Sequence, residues 1–141
     1  MGASGTGPFE NDGALDLCDE LRDLDGEAVR DLLRLTLTTV AGFDEHEYLE
    51  KDEAEAAVAA AAIVAAGRRG DNETLQCCGL DVKVPTKLDD LVEVAVAALL
   101  RVMGQESELS NLWADTVYDD DWRVRVQANI DALQGPSRVA G

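Results

Sequence analysis

The sequence predicts an all-α fold, a compact helical bundle of about five to six helices behind a Gly-rich N-terminal lead. Three observations carry that expectation. Apolar residues recur every three or four positions through most of the chain, the period of a helix with one buried face. Strict polar–apolar alternation never persists beyond a few residues, which leaves no room for a substantial sheet. Residues 54–66 hold nine alanines together with Val58, Ile63 and Val64. A helix apolar on nearly every side belongs at the centre of a bundle.

The elements follow in order. Residues 1–11 form the lead, where Gly2, Gly5 and Gly7 permit turns and Pro8 stiffens the exit. Asn11 or Asp12 is placed to cap a first helix running to about Leu24, with Ala14, Leu17, Cys18 and Leu21 inward. Asp25-Gly26-Glu27 stops the chain and restarts it. A second helix reaches about Val40, with Val29, Leu32, Leu33 and Val40 inward and Arg30 and Arg34 outward. Thr36, Thr38 and Thr39 weaken its last turn, since β-branched residues lose rotamer freedom in a helix. Residues 44–55 carry seven carboxylates against Lys51. Within them Asp52 and Glu55 have capping-box spacing ahead of the Ala-rich third helix, which Gly67 is expected to end. Arg68 and Arg69 then suit the negative end of its dipole.

Residues 70–86 read as the longest irregular connection, with Asp81–Val84 extended. Pro85, Thr86 and Asp89 predict the start of a fourth helix, buried through Leu88, Leu91, Val92, Ala95, Leu99 and Val102 and closed by Gly104. Ser107 is placed to cap a fifth helix carrying Leu109, Leu112 and Trp113. Asp119, Asp120 and Asp121 put negative charge at the head of a sixth, whose Trp122, Val126, Ile130 and Leu133 recur at helical spacing. The small aromatic complement places Trp113 and Trp122 in the core, with a recognition surface as the alternative. Gly135-Pro136 ends the pattern, so the sequence reads as one helical domain over 1–135 with a flexible tail at 136–141.

Composition narrows the functional classes. Among 141 residues, 12 are basic and 29 acidic, a formal charge of −17, while 46% are hydrophobic. That apolar share is too high for a disordered acidic chain. No apolar run reaches the roughly 18 residues of a membrane span. The charge repels a phosphate backbone and argues against direct nucleic-acid binding. The opening residues lack the features of a secretory signal. Three cysteines, Cys18, Cys77 and Cys78, make an odd count that favours reduced thiols and a cytoplasmic setting. The adjacent Cys77 and Cys78 read as small half-buried residues, with a vicinal disulfide as the alternative. His46 is the single histidine and sits in the acidic stretch, which excludes the usual zinc sites and leaves nucleophilic catalysis one imidazole. No cofactor is expected.

The opening Gly2-Ala3-Ser4-Gly5-Thr6-Gly7-Pro8-Phe9-Glu10-Asn11-Asp12-Gly13-Ala14-Leu15-Asp16 resembles the start of a bacterial family, domain-of-unknown-function family 4259. Its members typically open Gly-Ala-Trp-Gly-x-Gly-x-Phe-(Asp/Glu)-Asn-Asp-x-Ala-x-Asp. Weaker echoes lie at Tyr48-Leu49-Glu50, at Ser107-Glu108-Leu109 and at Leu112-Trp113. Ser4 stands where the family usually has Trp. The resemblance implies a small, mostly helical cytoplasmic protein and supplies no activity.

Three readings of that motif stand side by side. Structurally, Gly5 and Gly7 form a tight turn, Phe9 plugs the core, and Asn11 or Asp12 caps the helix, with Asp16 one turn on. Alternatively the loop delivers a partner segment to the helix N-terminus, or Glu10, Asp12 and Asp16 hold a hard divalent cation. For the chain as a whole, the acidic surface points to a non-enzymatic protein-binding or regulatory module. Its contact residues would be Asp44, Glu45, Glu47, Asp119, Asp120 and Asp121, and its partner a basic protein, as for an immunity-like or DNA-mimic inhibitor. The plain alternative is charge that only keeps the protein dispersed. The alternative from another class is a carboxylate-based, metal-assisted hydrolase, which needs paired Asp or Glu in a cleft.

Overall fold

The computed structural model describes residues 12–24, 26–44, 46–69, 72–77, 88–104, 107–114, 116 and 119–134, excluding the side chains of Asp12, Gly26, Asn72, Thr74, Cys77, Trp113 and Asp119. Outside this description fall the lead with Gly5, Gly7, Phe9, Glu10 and Asn11, and also Glu45, Cys78, the expected extended segment at 81–84, the expected helix start at Pro85-Thr86, and the tail.

The described residues are almost entirely helical. They form α1 (Asp12–Arg22), α2 (Gly26–Ala41), α3 (Lys51–Arg69), α4 (Asn72–Cys77), α5 (Val92–Val102), α6 (Glu108–Ala114) and α7 (Asp119–Gln134). A 3-10 turn, Asp89–Leu91, leads into α5. Extended pairing among them is confined to a single parallel bridge between Leu49 and Ser107. The all-α bundle is therefore as the sequence predicts.

Its centre is also where the sequence puts it. α3 packs against each of α1, α2, α4, α5, α6 and α7. Ala54, Ala57, Ala59, Ala60 and Ala61 are all 0% exposed, as are Ile63 and Val64. Alanine has the best intrinsic helix propensity and a side chain that ends one carbon from the backbone. One helix can then accept neighbours on every side, and the larger side chains that fill the spaces come from those neighbours. They include Leu17 and Leu21 of α1, Leu33 and Leu37 of α2, Leu99 of α5, and Trp122, Val126, Ile130 and Leu133 of α7, all buried in one cluster.

Several local expectations change. Gly67 does not end α3, which continues to Arg69, because a lone glycine in a packed helix costs less than the burial around it gains. α2 continues to Ala41 through its threonines. Thr36 and Thr39 donate their hydroxyls to the carbonyls of Leu32 and Leu35, each at 2.8 Å, so these polar side chains are satisfied within the helix. Part of the expected irregular connection is α4, whose Leu75 is buried. The α-helix expected from Thr86 begins only at Val92, after the 3-10 turn. In α6 Leu109 is buried while Leu112 is exposed.

Two further corrections concern specific side chains. Asp52 and Glu55 do not form a capping box: Glu55 is 0% exposed, and its Oε1 accepts the backbone N–H of Gly13 at 3.1 Å, 42 residues away. Gly13 is required there, because a Cβ would lie 2.7 Å from the Asp52 carbonyl oxygen and 2.8 Å from Glu55 Cβ. The expectation of reduced thiols fails at Cys18, which is disulfide-bonded. Cys77 and Cys78 are the other cysteines of the sequence, and their side chains lie outside the described residues.

Arg68, 7% exposed, closes the far end of the bundle. Its Nε donates to Asp89 Oδ1 at 2.8 Å, and its Nη1 donates to the Leu133 carbonyl at the end of α7 at 2.6 Å. Asp89 is 68% exposed, so the carbonyl bond carries most of the stabilisation. Arg68→Met is expected to destabilise by about 2 kcal/mol, because it leaves a buried carbonyl unmet. A urea midpoint that does not move would show that water replaces the guanidinium without loss.

Candidate functional site

The contacts bring several helix ends together at the N-terminal end of α3. α1 starts there, with Gly13 bonded to Glu55. α6 starts there too: Glu108 N–H donates to the Leu49 carbonyl at 2.8 Å, and Lys51 N–H donates to Glu108 Oε1 at 2.8 Å. The carboxylate that caps α3 thus comes from α6 and not from its own first turn. Ser107, fully buried, accepts the Ser110 N–H on its hydroxyl at 3.4 Å and caps α6 as the sequence predicts. Arg123 in the first turns of α7 donates to Ser110 Oγ at 3.0 Å and lies 5.7 Å from the Trp122 ring centroid. The end of α5 completes the arrangement, with Arg101 donating through Nη2 to the carbonyls of Asp44 and Glu47.

Exposed carboxylates lie on these segments. Asp44, Glu47, Glu50 and Asp52 are exposed around the start of α3, and Asp120 and Asp121 are exposed in the first turn of α7. Negative charge is favourable at these positions, because the first amides of each helix point toward it. The turn at 44–47 is also ordered by its own acids. Asp44 N–H donates to Glu47 Oε1 at 2.9 Å, and His46 N–H donates to Asp44 Oδ1 at 3.0 Å. Lys51 bonds Asp52 Oδ1 at 3.0 Å, and chiefly through that bond its ammonium holds its proton above the usual lysine range.

The candidate residues sort as follows. Asp44, Glu47, Asp120 and Asp121 are exposed; the first two lie on the segment that pairs with Ser107 through Leu49, and the last two on α7, which Arg123 ties to α6. Asp119 opens α7, with its side chain undescribed, and Glu45 lies outside the described residues. Of the motif positions, Asp12 begins α1 and Asp16 is exposed on it. Among the described residues no group of three or more His, Cys, Asp or Glu is placed to hold a metal ion. Trp122 is in the core, as the sequence predicts.

Away from this end, arginines are engaged in ion pairs. Arg30 and Arg34 both reach Asp90 Oδ2, the latter at 3.1 Å, and Arg22 pairs with Asp19. Glu27, Arg30, Asp31 and Arg34 line an open cavity of about 260 Å³ on the face of α2. Arg30 and Arg34 face outward as expected, with Asp90 as their counter-charge.

Sequence reasoning missed Gly13, Glu55, Glu108 and Arg101 as the parts that assemble this end. One signal was present. The two short motifs around Leu49 and Ser107, far apart in the chain, are the pair that bridge.

Together these features define a class: a small all-α bundle whose central helix is built of alanine. The chain belongs to the family described as Domain of unknown function (DUF4259), whose profile matches residues 2–125. The match therefore runs from the Gly-rich lead into the first half of α7. No curated protein and no solved structure matches the chain. No helix among the described residues is long and apolar enough to cross a membrane.

Proposed function

We propose that this protein is a non-enzymatic binding or regulatory module that presents the acidic end of its bundle to a basic protein. The observation that supports this reading is the exposure of Asp44, Glu47, Asp120 and Asp121 on segments tied to α6 by main-chain pairing and a part-buried side-chain bond. Charges held on a fixed frame complement a fixed pattern on a partner. Charges on mobile chain would first lose conformational freedom on binding. A basic nuclease or a DNA-binding protein offers that pattern, and occupying its phosphate-binding surface would inhibit it, as an immunity protein or DNA mimic does. Cytoplasmic proteins of this basic kind are the partner class.

The test is a pull-down with the full chain at low salt and at about 0.5 M salt, where exposed charges are screened within a few ångströms. Partners of this class are expected to be lost at high salt, with association slowed at least tenfold by the Asp120→Lys, Asp121→Lys double variant. Partners retained unchanged at high salt, or bound equally well by the double variant, would overturn the proposal.

A further inference from the structure

We propose that the cavity on the face of α2 binds a small zwitterion of the free amino-acid class, with its carboxylate on Arg30 and Arg34 and its ammonium on Glu27 and Asp31. These four residues line an open space of about 260 Å³. They follow one another at i, i+3, i+4 and i+7 along a single stripe of the helix, in the order acid, base, acid, base. None of the four belongs to the proposed partner surface.

Helical spacing offers each acid a partner of its own. Glu27 lies three residues before Arg30, and Asp31 three before Arg34, the separation at which opposite charges meet on a helix. The structure does not use those pairings. Both guanidiniums go instead to one atom, Asp90 Oδ2 in the 3-10 turn before α5, Arg34 at 3.1 Å. Among the described residues, Glu27 and Asp31 make no ion pair with any of the arginines or lysines. What remains on the helix is two like-charged pairs at i, i+4, Glu27 with Asp31 and Arg30 with Arg34, a pattern that works against an isolated helix. Each guanidinium carries five N–H donors, so sharing a single oxygen leaves donors for a second acceptor.

Charge and size select the ligand. With Asp90 the locus holds three carboxylates and two guanidiniums, on a chain whose formal charge is −17. A free anion such as inorganic phosphate meets that repulsion with nothing to offset it, and a free cation leaves the guanidiniums unused. A ligand bearing both signs is neutral as a whole and answers both sets of groups. Its carboxylate accepts from the planar guanidiniums in the two-bond geometry they favour, and its ammonium donates to the acids. Arg34, 50% exposed, is free to move from Asp90 to the ligand, while Arg30, 23% exposed, is held more firmly. The volume falls short of the roughly 300 Å³ at which pockets for drug-sized molecules begin. All four lining side chains are charged, so a large apolar substituent gains nothing there.

The experiment titrates the full chain at low salt with free amino acids, one at a time, each raised to about 20 mM, above the millimolar Kd that a small open site implies. Backbone amide resonances are expected to shift and saturate for at least one amino acid, with the changes centred on residues 27–34 and Asp90. The N-acetyl and methyl ester derivatives of that amino acid each lack one of the two charges and should bind roughly tenfold more weakly or worse. Arg34→Met, and the Glu27→Gln, Asp31→Asn double variant, should each weaken binding by a similar factor. Both sets of changes lie at exposed positions, so Tm should move by no more than about 3 °C, which separates loss of the site from loss of the fold. No shift at residues 27–34 with any amino acid, an N-acetyl derivative or inorganic phosphate bound as tightly as the free amino acid, or binding unchanged in both variants would overturn the proposal.

Discussion

Enlarging one residue of the central helix, Ala60→Leu, is expected to lower Tm by roughly 10 °C, equivalent to about 3 kcal/mol. Ala60 is 0% exposed, and α3 has helices packed around it on every side. The added carbons have no open side to enter. They must displace a neighbouring helix or force a strained rotamer, and close-packed interiors resist both. Val124→Ala supplies the control: Val124 is 67% exposed on α7, so truncation there should change stability by no more than about 0.5 kcal/mol. Calorimetric melting of the two variants checks the contrast. Equal shifts would mean that α3 has slack and is not the element on which the bundle is built.

Glu55→Ala is expected to cost about 3 kcal/mol, read as a fall in urea midpoint. The substitution leaves the Gly13 amide with no acceptor in the interior and opens a void beneath the start of α1. Glu55→Gln keeps an oxygen where Oε1 stands and is expected to cost about 1 kcal/mol. The pair of variants separates two contributions. If glutamine is as damaging as alanine, the negative charge facing the first turn of α1 matters more than the hydrogen bond itself.

How much was legible in advance depended on the distance over which each feature is encoded. α7 was plain because Trp122, Val126, Ile130 and Leu133 state a period that needs no partner to interpret. α3 was plain because its composition fits only one kind of surroundings. α4 was not, since one buried leucine in six residues gives no period to read. The role of Glu55 was misread for a different reason. A carboxylate three residues after Asp52 satisfies a local rule, but its actual partner lies 42 residues earlier in the chain. The candidate surface divides the same way. Exposure of Asp44, Glu47, Asp120 and Asp121 follows from their polarity. The ties between their segments run through bonds such as that between Lys51 and Glu108, 57 residues apart, which spacing does not report.

The position of the alanine helix also bears on the order in which the protein is made. α1 and α2 leave the ribosome before α3 and α5, yet α1 closes on α3, and α2 closes on α3 and α5 together. The apolar stripe of α1 must wait uncovered until residue 69 has emerged, and that of α2 until residue 102 has. Nascent chains stalled before those points would be the natural clients of a holdase.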